Sequence, residues 1–546
     1  MSLSRQHDLD ALHDKVTVKA SPSSPCAAVV TVRTATPTEV FVYAEARDHQ
    51  VTVPSSRTSS IAHTVPVAGL RASTDYLVSV RTVSDGSTRT NTVGEPVAWR
   101  SGELPSDLPR LRLSRDRARM SPGLTLFNLI PWHVPNLFKP AIPLALRDRS
   151  DLGYVIAVDD DGHIVWYYRA GLGIDDARQL PNGDLLLNYD DCVARQVNVL
   201  GETVREWASL VATEWMPTDE LGRPRTQRGT IPIATDSMHH EVAFLPSGNL
   251  LFLSSELRKI HDPSGRRCGG TTRYDVIGDV VVEADPRSGA IVREWRLLDV
   301  VDPLRRPGTH LCAGGLRHTP PIWFYPEADY PRDWSHGNAV VLDQSRNTLL
   351  VSARHLDAIF ALRYEEDATG PAGELLWEFG PHGSVELGQG EWPYHHHAIE
   401  LQDDGSLLLY DNGVGRPGHT GENGEPHPFS RAVQFNIDVN TEGRYVATQR
   451  WEYRHTTHDR RPAFSRRLGD ADRLPNGNVL ITHGHLKSRL GRISARIMEV
   501  APEGPAGGDV VFDLTVDGTD NGWSIYRAQR ISSLYPHLYE QGRGTK

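Results

Sequence analysis

Three histidines stand at related places in a repeated pattern. His240 lies eight residues before the turn glycine Gly248 in HEVAFLPSGNLLFLSSE, and His397 lies eight before Gly405 in HAIELQDDGSLLLYDNG. His336 precedes G-N-A-V-V as His240 precedes E-V-A-F-L. The matching positions of two further units hold Asp175 and Gly469, so the pattern itself does not require a histidine. Eighteen residues after His336, in LLVSARHLDAIF, comes Arg354, whose planar guanidinium suits an oxyanion such as sulfate, phosphate or carboxylate. Imidazoles converging on one point do one of two things. They bind a transition metal, or one acts as a nucleophile while the others and the arginine stabilise an anionic group in transfer. A guanidinium beside a metal cation costs repulsion, which favours the second.

Within EWPYHHHAIELQDDG, residues 391–405, adjacent strand residues point to opposite sides, so His395, His396 and His397 cannot all converge. Counting back from Gly405 selects His397, with His396 as the alternative if the turn carries an extra residue. His239, His395 and His396 read as neighbours that cap strands or bond backbone.

The elements that must position these groups are strands. DDARQLPNGDLLLNYDD (175–191), the two histidine units above and GDADRLPNGNVLITHGH (469–485) each pair two apolar runs across a tight turn, and HGNAVVLDQSRNTLLVSARH (336–355) fits with a longer turn. Several are followed by a second hairpin ending in V-x-E-W or its like, as in VNVLGETVREW. Two hairpins make a four-stranded blade, and repeated blades make a β-propeller. Counting GYVIAVDDDGHIVWYY (153–168), whose partner strands come from 122–130 or from the C-terminus, predicts six blades. Insertions near 257–275, 300–333 and 417–430 are expected to build the mouth.

Ahead of the repeat, residues 1–105 alternate apolar and polar in short runs, the pattern of a small β-sandwich. The spacing Gly69-Leu70-x-x-x-Thr74-x-Tyr76 is that of a tyrosine corner in a fibronectin type III-like domain. Residues 106–121 read as a linker and 122–546 as the propeller. Composition is that of a globular protein, 39% hydrophobic and 23% charged, and a net charge of -11 argues against nucleic acid as a partner. No apolar run is long enough to span a bilayer, and the N-terminal residues lack the apolar core of a signal peptide. The four cysteines, Cys26, Cys192, Cys268 and Cys312, have neither disulfide-framework nor metal spacing, so a cytoplasmic setting is expected. There is no G-x-x-x-x-G-K phosphate loop for a nucleotide donor, which leaves a small ester as the source of any transferred group.

The blocks DWSHGNAVVLD, LLVSARHLDAIFALR, HHEVAFLPSGNLLF, HHAIELQDDGSLLLYDNGVGR and YRAQRISSLYP resemble the bacterial arylsulfate sulfotransferase family over about residues 120–540. The resemblance implies an all-β fold, a six-bladed propeller after a small β-domain. It also implies transfer of a sulfuryl group from a phenolic sulfate ester to a phenol, without the nucleotide donor PAPS, through a transiently sulfated histidine. Carried over by motif, it makes His397 the nucleophile and Arg354 and His336 the holders of the sulfuryl oxygens. His240 or His336 then protonates the leaving phenolate. Asn338, Asn412, Trp334 and Trp392 are expected to touch substrate, with Tyr394 as a further aromatic for stacking on a phenol. The implied partners are an aryl sulfate donor and a phenolic acceptor. No cofactor or metal is called for, no nucleic acid or membrane is a partner, and a homodimer is among the assemblies allowed.

Overall fold

The computed structural model describes residues 15–536 apart from 23, 55–59, 84–89, 132–152, 171–172, 190–191, 216, 219–223, 264–271, 305–324, 326–327, 329–330, 420–427, 458–460, 489–490 and 518–521. Cys268, Cys312, the extreme N-terminal residues and much of the three insertions therefore lie outside the described residues.

The N-terminal domain is a sandwich of two antiparallel sheets. One holds Thr17–Ala20, Ala28–Thr38 and Ser60–Val67, and the other Gln50–Pro54, Val40–Glu45, Asp75–Val83 and Thr90–Arg100. The strict alternation of Val40–Glu45, buried at every other residue, gives the sheet one core face and one half-solvated face. The tyrosine corner is present: the buried Tyr76 hydroxyl accepts from the Arg71 N–H at 2.8 Å, five residues upstream.

Among the described residues, six further sheets of four or five strands follow. Five of them open with Ile174–Gln179, His239–Phe244, Gly337–Asp343, His397–Leu401 and Asp470–Arg473, and each runs on through consecutive antiparallel neighbours. The turns that join first and second strands repeat one geometry. Gly183, Gly248, Gly405 and Gly477 have φ of +90°, +87°, +81° and +86°, and each donates its N–H to the residue three before it at 2.8 Å. Only glycine adopts that conformation without strain, which is why the glycine recurs in the sequence. The fourth sheet replaces it with the short helical turn Gln344–Arg346, closed by Asn347 at φ +50°.

The remaining sheet is built from both ends of the chain. Leu124–Pro131 pairs with Gly153–Val158, and the C-terminal strand Ala528–Ile531 pairs on its other edge, Ala528 opposite Phe127. Both candidate sources of partner strands for residues 153–168 are thus used. The segment read as a linker also carries structure. Arg110–Arg115 lies against Gly508–Asp517, Leu113 opposite Leu514, as the outer strand of the last sheet, with Leu111 and Leu113 packed on the core. The sandwich docks on these elements through the Tyr535 hydroxyl, which accepts from Ala68 N at 2.7 Å and donates to Pro66 O at 2.9 Å. Arg71 adds ion pairs to Asp159 and Asp161 across the same contact. No helix of the described residues is long and apolar enough to cross a membrane.

Candidate active site

The first strand of each of four sheets has its ladder interrupted at the same end, between Ile174 and Asp176, His239 and Val242, Gly337 and Ala339, and His397 and Ile399. Bulges re-aim side chains at the rims of such sheets. Here His240, His336, His395 and Ala398 take left-handed backbone conformations, with φ of +59°, +50°, +51° and +47°. Such angles are costly for residues other than glycine and are retained where the surroundings impose them.

His240 and His397 do share a register, but His336 does not. The pairs Val242 with Phe252, Val341 with Leu350 and Ile399 with Leu409 are equivalent, each being two steps above the turn-adjacent pair. His240 and His397 stand two residues before that level and His336 five before. The longer first strand of its sheet, Gly337–Asp343, carries His336 further out, where its φ is +50°. The His240 and His336 ring centroids are 5.0 Å apart.

Two of the imidazoles flank a residue that spacing alone did not single out. Tyr526, from the segment just before the closing strand Ala528–Ile531, lies edge-on to His240 at 6.0 Å and to His397 at 6.3 Å. It is 2% exposed, and its hydroxyl has no hydrogen-bond partner among the described residues. Arg527 sits over its ring and donates to Glu241 and to the Asn338 carbonyl.

The tautomer of His397 follows from its partner. Asn412 commits its amide N–H groups to Ser465 O and Leu468 O at 2.7 and 2.9 Å, so its Oδ1 can only accept, from His397 Nδ1 at 2.6 Å. Nε2 is then left with its lone pair. Burial first, then the Arg354 charge, with the His336 and Arg527 charges beyond it, holds His397 well below the ordinary imidazole pKa, so the ring is neutral at pH 7. His240 is lowered in the same way, first by burial and then by His239, His336, His397 and Arg527. His336 differs in having a carboxylate: its Nδ1 lies 2.5 Å from Asp333 Oδ2, while its ring stacks on His355 at 4.4 Å. That dyad fixes the Nδ1–H tautomer.

Arg354 is half-buried at the lip, beginning the short turn Arg354–Leu356, and donates to Arg466 O at 2.8 Å. Burial, and next the Arg467 charge, lowers its pKa to about 10, which leaves it charged at neutral pH. His396 points away from this group: it is buried, held to about pH 4 mainly by burial, and its carbonyl accepts from Asn338. His395 bonds Asp357. The three rings do go to different places, but not by strand alternation: the strand begins at His397, and His395 precedes it with a left-handed φ of +51°.

Four expected substrate contacts have other partners. Asn338 uses both ends of its amide on protein, donating to His396 O and accepting from Ser352 Oγ, both at 2.8 Å. Asn412 is spent on His397 and the 465–468 backbone. Trp334, 3% exposed, packs in the core between two sheets, and Trp392 lies edge-on to Phe379 at 5.1 Å. Large apolar rings next to a site are more strongly drawn to the gaps between sheets than to the open mouth. Tyr394 is half-buried with Arg416 5.6 Å from its ring centroid. The metal alternative rested on His240, His336 and His397, which do not form a ligand cluster among the described residues. Asp333, His336 and His355 instead each bring one ligand atom within 4.8 Å of the others.

The buried neutral histidines set the acid limit of stability. Mainly through burial, His396, His455 and His485 are lowered to about 4 and His483 to about 3. The unfolded chain therefore takes up protons near pH 6.5 that the folded chain refuses. Stability is complete above that pH and falls as pH drops from 6.5 towards 4, by about 1.4 kcal/mol per pH unit for each group. Asp470, raised to about 7 chiefly by burial, acts in the opposite sense, as do Asp236, Asp279, Glu400 and Asp472, but His239, His240, His355 and His397 are lowered as well, so the histidines outnumber these carboxylates. Thermal melts should show a midpoint that falls continuously from pH 6.5 to 4.5. A flat or rising midpoint would contradict the assignment of these histidines as neutral.

The arylsulfotransferase (ASST) family model matches residues 113–527, and the arylsulfotransferase Ig-like domain model matches residues 15–95. The chain is 23% identical over 283 residues to the arylsulfate sulfotransferase AssT of Escherichia coli O6:H1 (strain CFT073), an alignment covering 45% of each. The chain thus spans less than half the length of this curated relative. Among solved structures, the periplasmic gluconolactonase PpgL of Pseudomonas aeruginosa aligns with a TM-score of 0.33 and 12% identity, covering 74% of this chain and 99% of that one. With both domains matched, and the matched region containing His240, His336, Arg354, His397 and Tyr526, the chain belongs to the arylsulfotransferase (ASST) family.

Proposed function

We propose that the chain is an aryl sulfotransferase that moves a sulfuryl group from an aryl sulfate to a phenolic acceptor by way of His397, without PAPS, at the centre of a six-bladed propeller. The reading is carried by neutral His397 and His240 set against Tyr526, with carboxylate-backed His336 beside His240 and the Arg354 charge acting on His397. His397 Nε2 attacks sulfur as the S–O bond to the aryl group breaks. The departing aryl oxygen takes a proton from His336 rather than from His240, whose buried ring is neutral. Arg354 and the Tyr526 hydroxyl stabilise the equatorial sulfuryl oxygens, where charge accumulates in a loose transfer. In the second half the acceptor phenol returns its proton to the same imidazole as its oxygen takes the sulfuryl group, and the enzyme is restored.

The direct test is incubation with 4-nitrophenyl sulfate and phenol. Absence of nitrophenol release, or release unaffected by His397→Ala, would overturn the reading. The buried, unsatisfied Tyr526 hydroxyl is a donor held ready for a ligand oxygen. Tyr526→Phe, which keeps the ring between the histidines, should lower kcat by roughly 10²-fold with little change in melting. An unchanged kcat would remove the hydroxyl from the mechanism.

A second reading, a histidine-ligated metalloenzyme, has the Asp333, His336 and His355 cluster in its favour. Metal analysis of untagged protein separates the two, since a stoichiometric metal required for turnover is foreign to the first.

A further inference from the structure

Behind His240 stands a second imidazole and, behind that, a buried carboxylate. His239 Nδ1 lies 2.8 Å from His240 Nδ1, and the other nitrogen of the His239 ring, Nε2, lies 3.5 Å from Asp279 Oδ1. His239 and Asp279 are both buried. Asp279 belongs to Arg273–Ala284, the third strand of the sheet whose first strand carries His240. Its Oδ2 accepts from the Ser335 hydroxyl and, at 2.6 Å, from the Gly337 N–H, the residues on either side of His336. A Cβ at residue 337 would stand 2.7 Å from the Asp279 carboxyl carbon, so a side chain there would push the carboxylate away. One carboxylate thus backs His240 through His239 and clamps the backbone around His336.

Two neutral imidazole nitrogens at hydrogen-bond distance need one donor and one acceptor. Asp279 decides which is which. Two donors on its Oδ2 mark it as a carboxylate, although burial raises its pKa. A carboxylate beside His239 Nε2 puts that ring's proton on Nε2 and leaves Nδ1 as the acceptor. Asp279 and the Ser254 backbone both favour a proton on this ring. His240 must then donate from Nδ1, and its Nε2, on the side of the ring away from His239, keeps a lone pair. That ring is neutral, lies edge-on to Tyr526 at 6.0 Å and adjoins His336 at 5.0 Å. So disposed, His240 can take a proton at Nε2 but has none there to give.

We propose that Asp279 and His239 are positioning residues that present His240 Nε2 as the first receiver of the acceptor phenol's proton. This rests on the sulfotransferase reading above and deepens its second half. As the acceptor oxygen bonds sulfur, the S–N bond to His397 Nε2 breaks and its electron pair returns to that nitrogen. The acceptor's proton moves to His240 Nε2 and from there to the adjoining His336, which is left as it stood before the first half. The transient charge on His240 is steadied by its Nδ1–H bond to His239, whose own Nε2–H faces Asp279.

The test is Asp279→Asn in the full chain. Ser335 and Gly337 still need an acceptor, so the amide oxygen takes the place of Oδ2 and the amide N–H groups turn to His239 Nε2. Both tautomers then reverse, and His240 presents an N–H where a base is wanted. With 4-nitrophenyl sulfate as donor, first-turnover release of 4-nitrophenolate needs no proton and should stay within about 3-fold of the unaltered protein. Onward transfer to phenol should slow by roughly 10²-fold in kcat, while return of the sulfuryl group to added 4-nitrophenolate, already ionised, should be spared. Phenol transfer unchanged, or equal loss in all three steps, would overturn the assignment. The tautomers are also read without turnover, from nitrogen NMR spectra of isotope-labelled histidines in the unaltered protein, with His240→Gln to assign the ring. A proton on His240 Nδ1 supports the assignment and a proton on Nε2 overturns it, whether or not Asp279→Asn folds. If neither protein releases nitrophenol, the sulfotransferase reading fails by itself, and the same spectra still decide which nitrogen Asp279 and His239 leave bare.

Discussion

His397→Ala should abolish nitrophenol release from 4-nitrophenyl sulfate, by on the order of 10⁴-fold or more, while leaving the melting temperature within a few degrees. The imidazole is the group from which a covalent intermediate would form. No other side chain at the site combines a free ring nitrogen fixed by an Asn412-type partner with contact to Tyr526. Stability should change little, because the variant leaves Asn412 its two backbone acceptors. Without acceptor, the unaltered protein should gain the mass of one SO₃ group and the variant none. His336→Gln should behave differently. Losing a general acid costs about 10² to 10⁴-fold with a poor leaving group, and far less with 4-nitrophenolate, which departs without a proton. A variant series in which His336→Gln is equally damaging for phenyl sulfate and 4-nitrophenyl sulfate would deny His336 that role, and a His397→Ala protein that still acquires SO₃ would deny His397 its own.

The sequence carried the scaffold of this site more fully than its detail, and the reason lies in which interactions are local. The turn glycines Gly183, Gly248, Gly405 and Gly477 are demanded by backbone conformation within four residues, so their recurrence exposed the blades and the common position of His240 and His397. His336 fell outside that logic, because the Gln344–Arg346 turn changes the ladder length and only the pairing of Val341 with Leu350 reveals the offset. Tyr526 and Arg527 lie far from every histidine along the chain and reach the site because Ala528–Ile531 completes a sheet begun at Leu124. Their one local signal is their place in the YRAQRIS block directly ahead of the last apolar strand. Asp333 could have been read from its spacing three before His336, which permits the dyad that the backbone forms. Trp334 and Trp392 illustrate the opposite limit: residue type suggested stacking on a ligand, while the packing of buried Trp334 and half-buried Trp392 is decided by neighbours that no local pattern names.

Arg431→Ala should be the most destabilising single change near the site. Arg431 is fully buried, and Asp411 with it. The guanidinium donates to Asp411 Oδ2 at 2.8 Å, to the Glu391 carbonyl at 2.7 Å and to the Glu452 carboxylate. Asp411 in turn accepts from the Tyr394 N–H at 2.9 Å, so one buried ion pair ties Leu407–Asp411 to the segment that leads into the histidine triplet. Although burial opposes its ionisation, Arg431 and Arg416 hold Asp411 below the usual carboxylate range. Removing Arg431 leaves a fully buried carboxylate with Arg416 as its remaining charged partner, and opens a cavity the size of an arginine stem. Breaking a buried pair on one side costs about 3–5 kcal/mol, far more than a surface bridge contributes. A fall in melting midpoint of roughly 5 °C or more is expected. Arg431→Lys should recover only part of it, because one ammonium cannot span two carboxylates and a carbonyl as the planar fork does. Activity should fall with stability, since Asn412 follows Asp411 directly and sets the His397 tautomer. An Arg431→Ala protein that melts within 1–2 °C of the unaltered one and retains full turnover would show that the ion pair neither holds the fold nor positions His397.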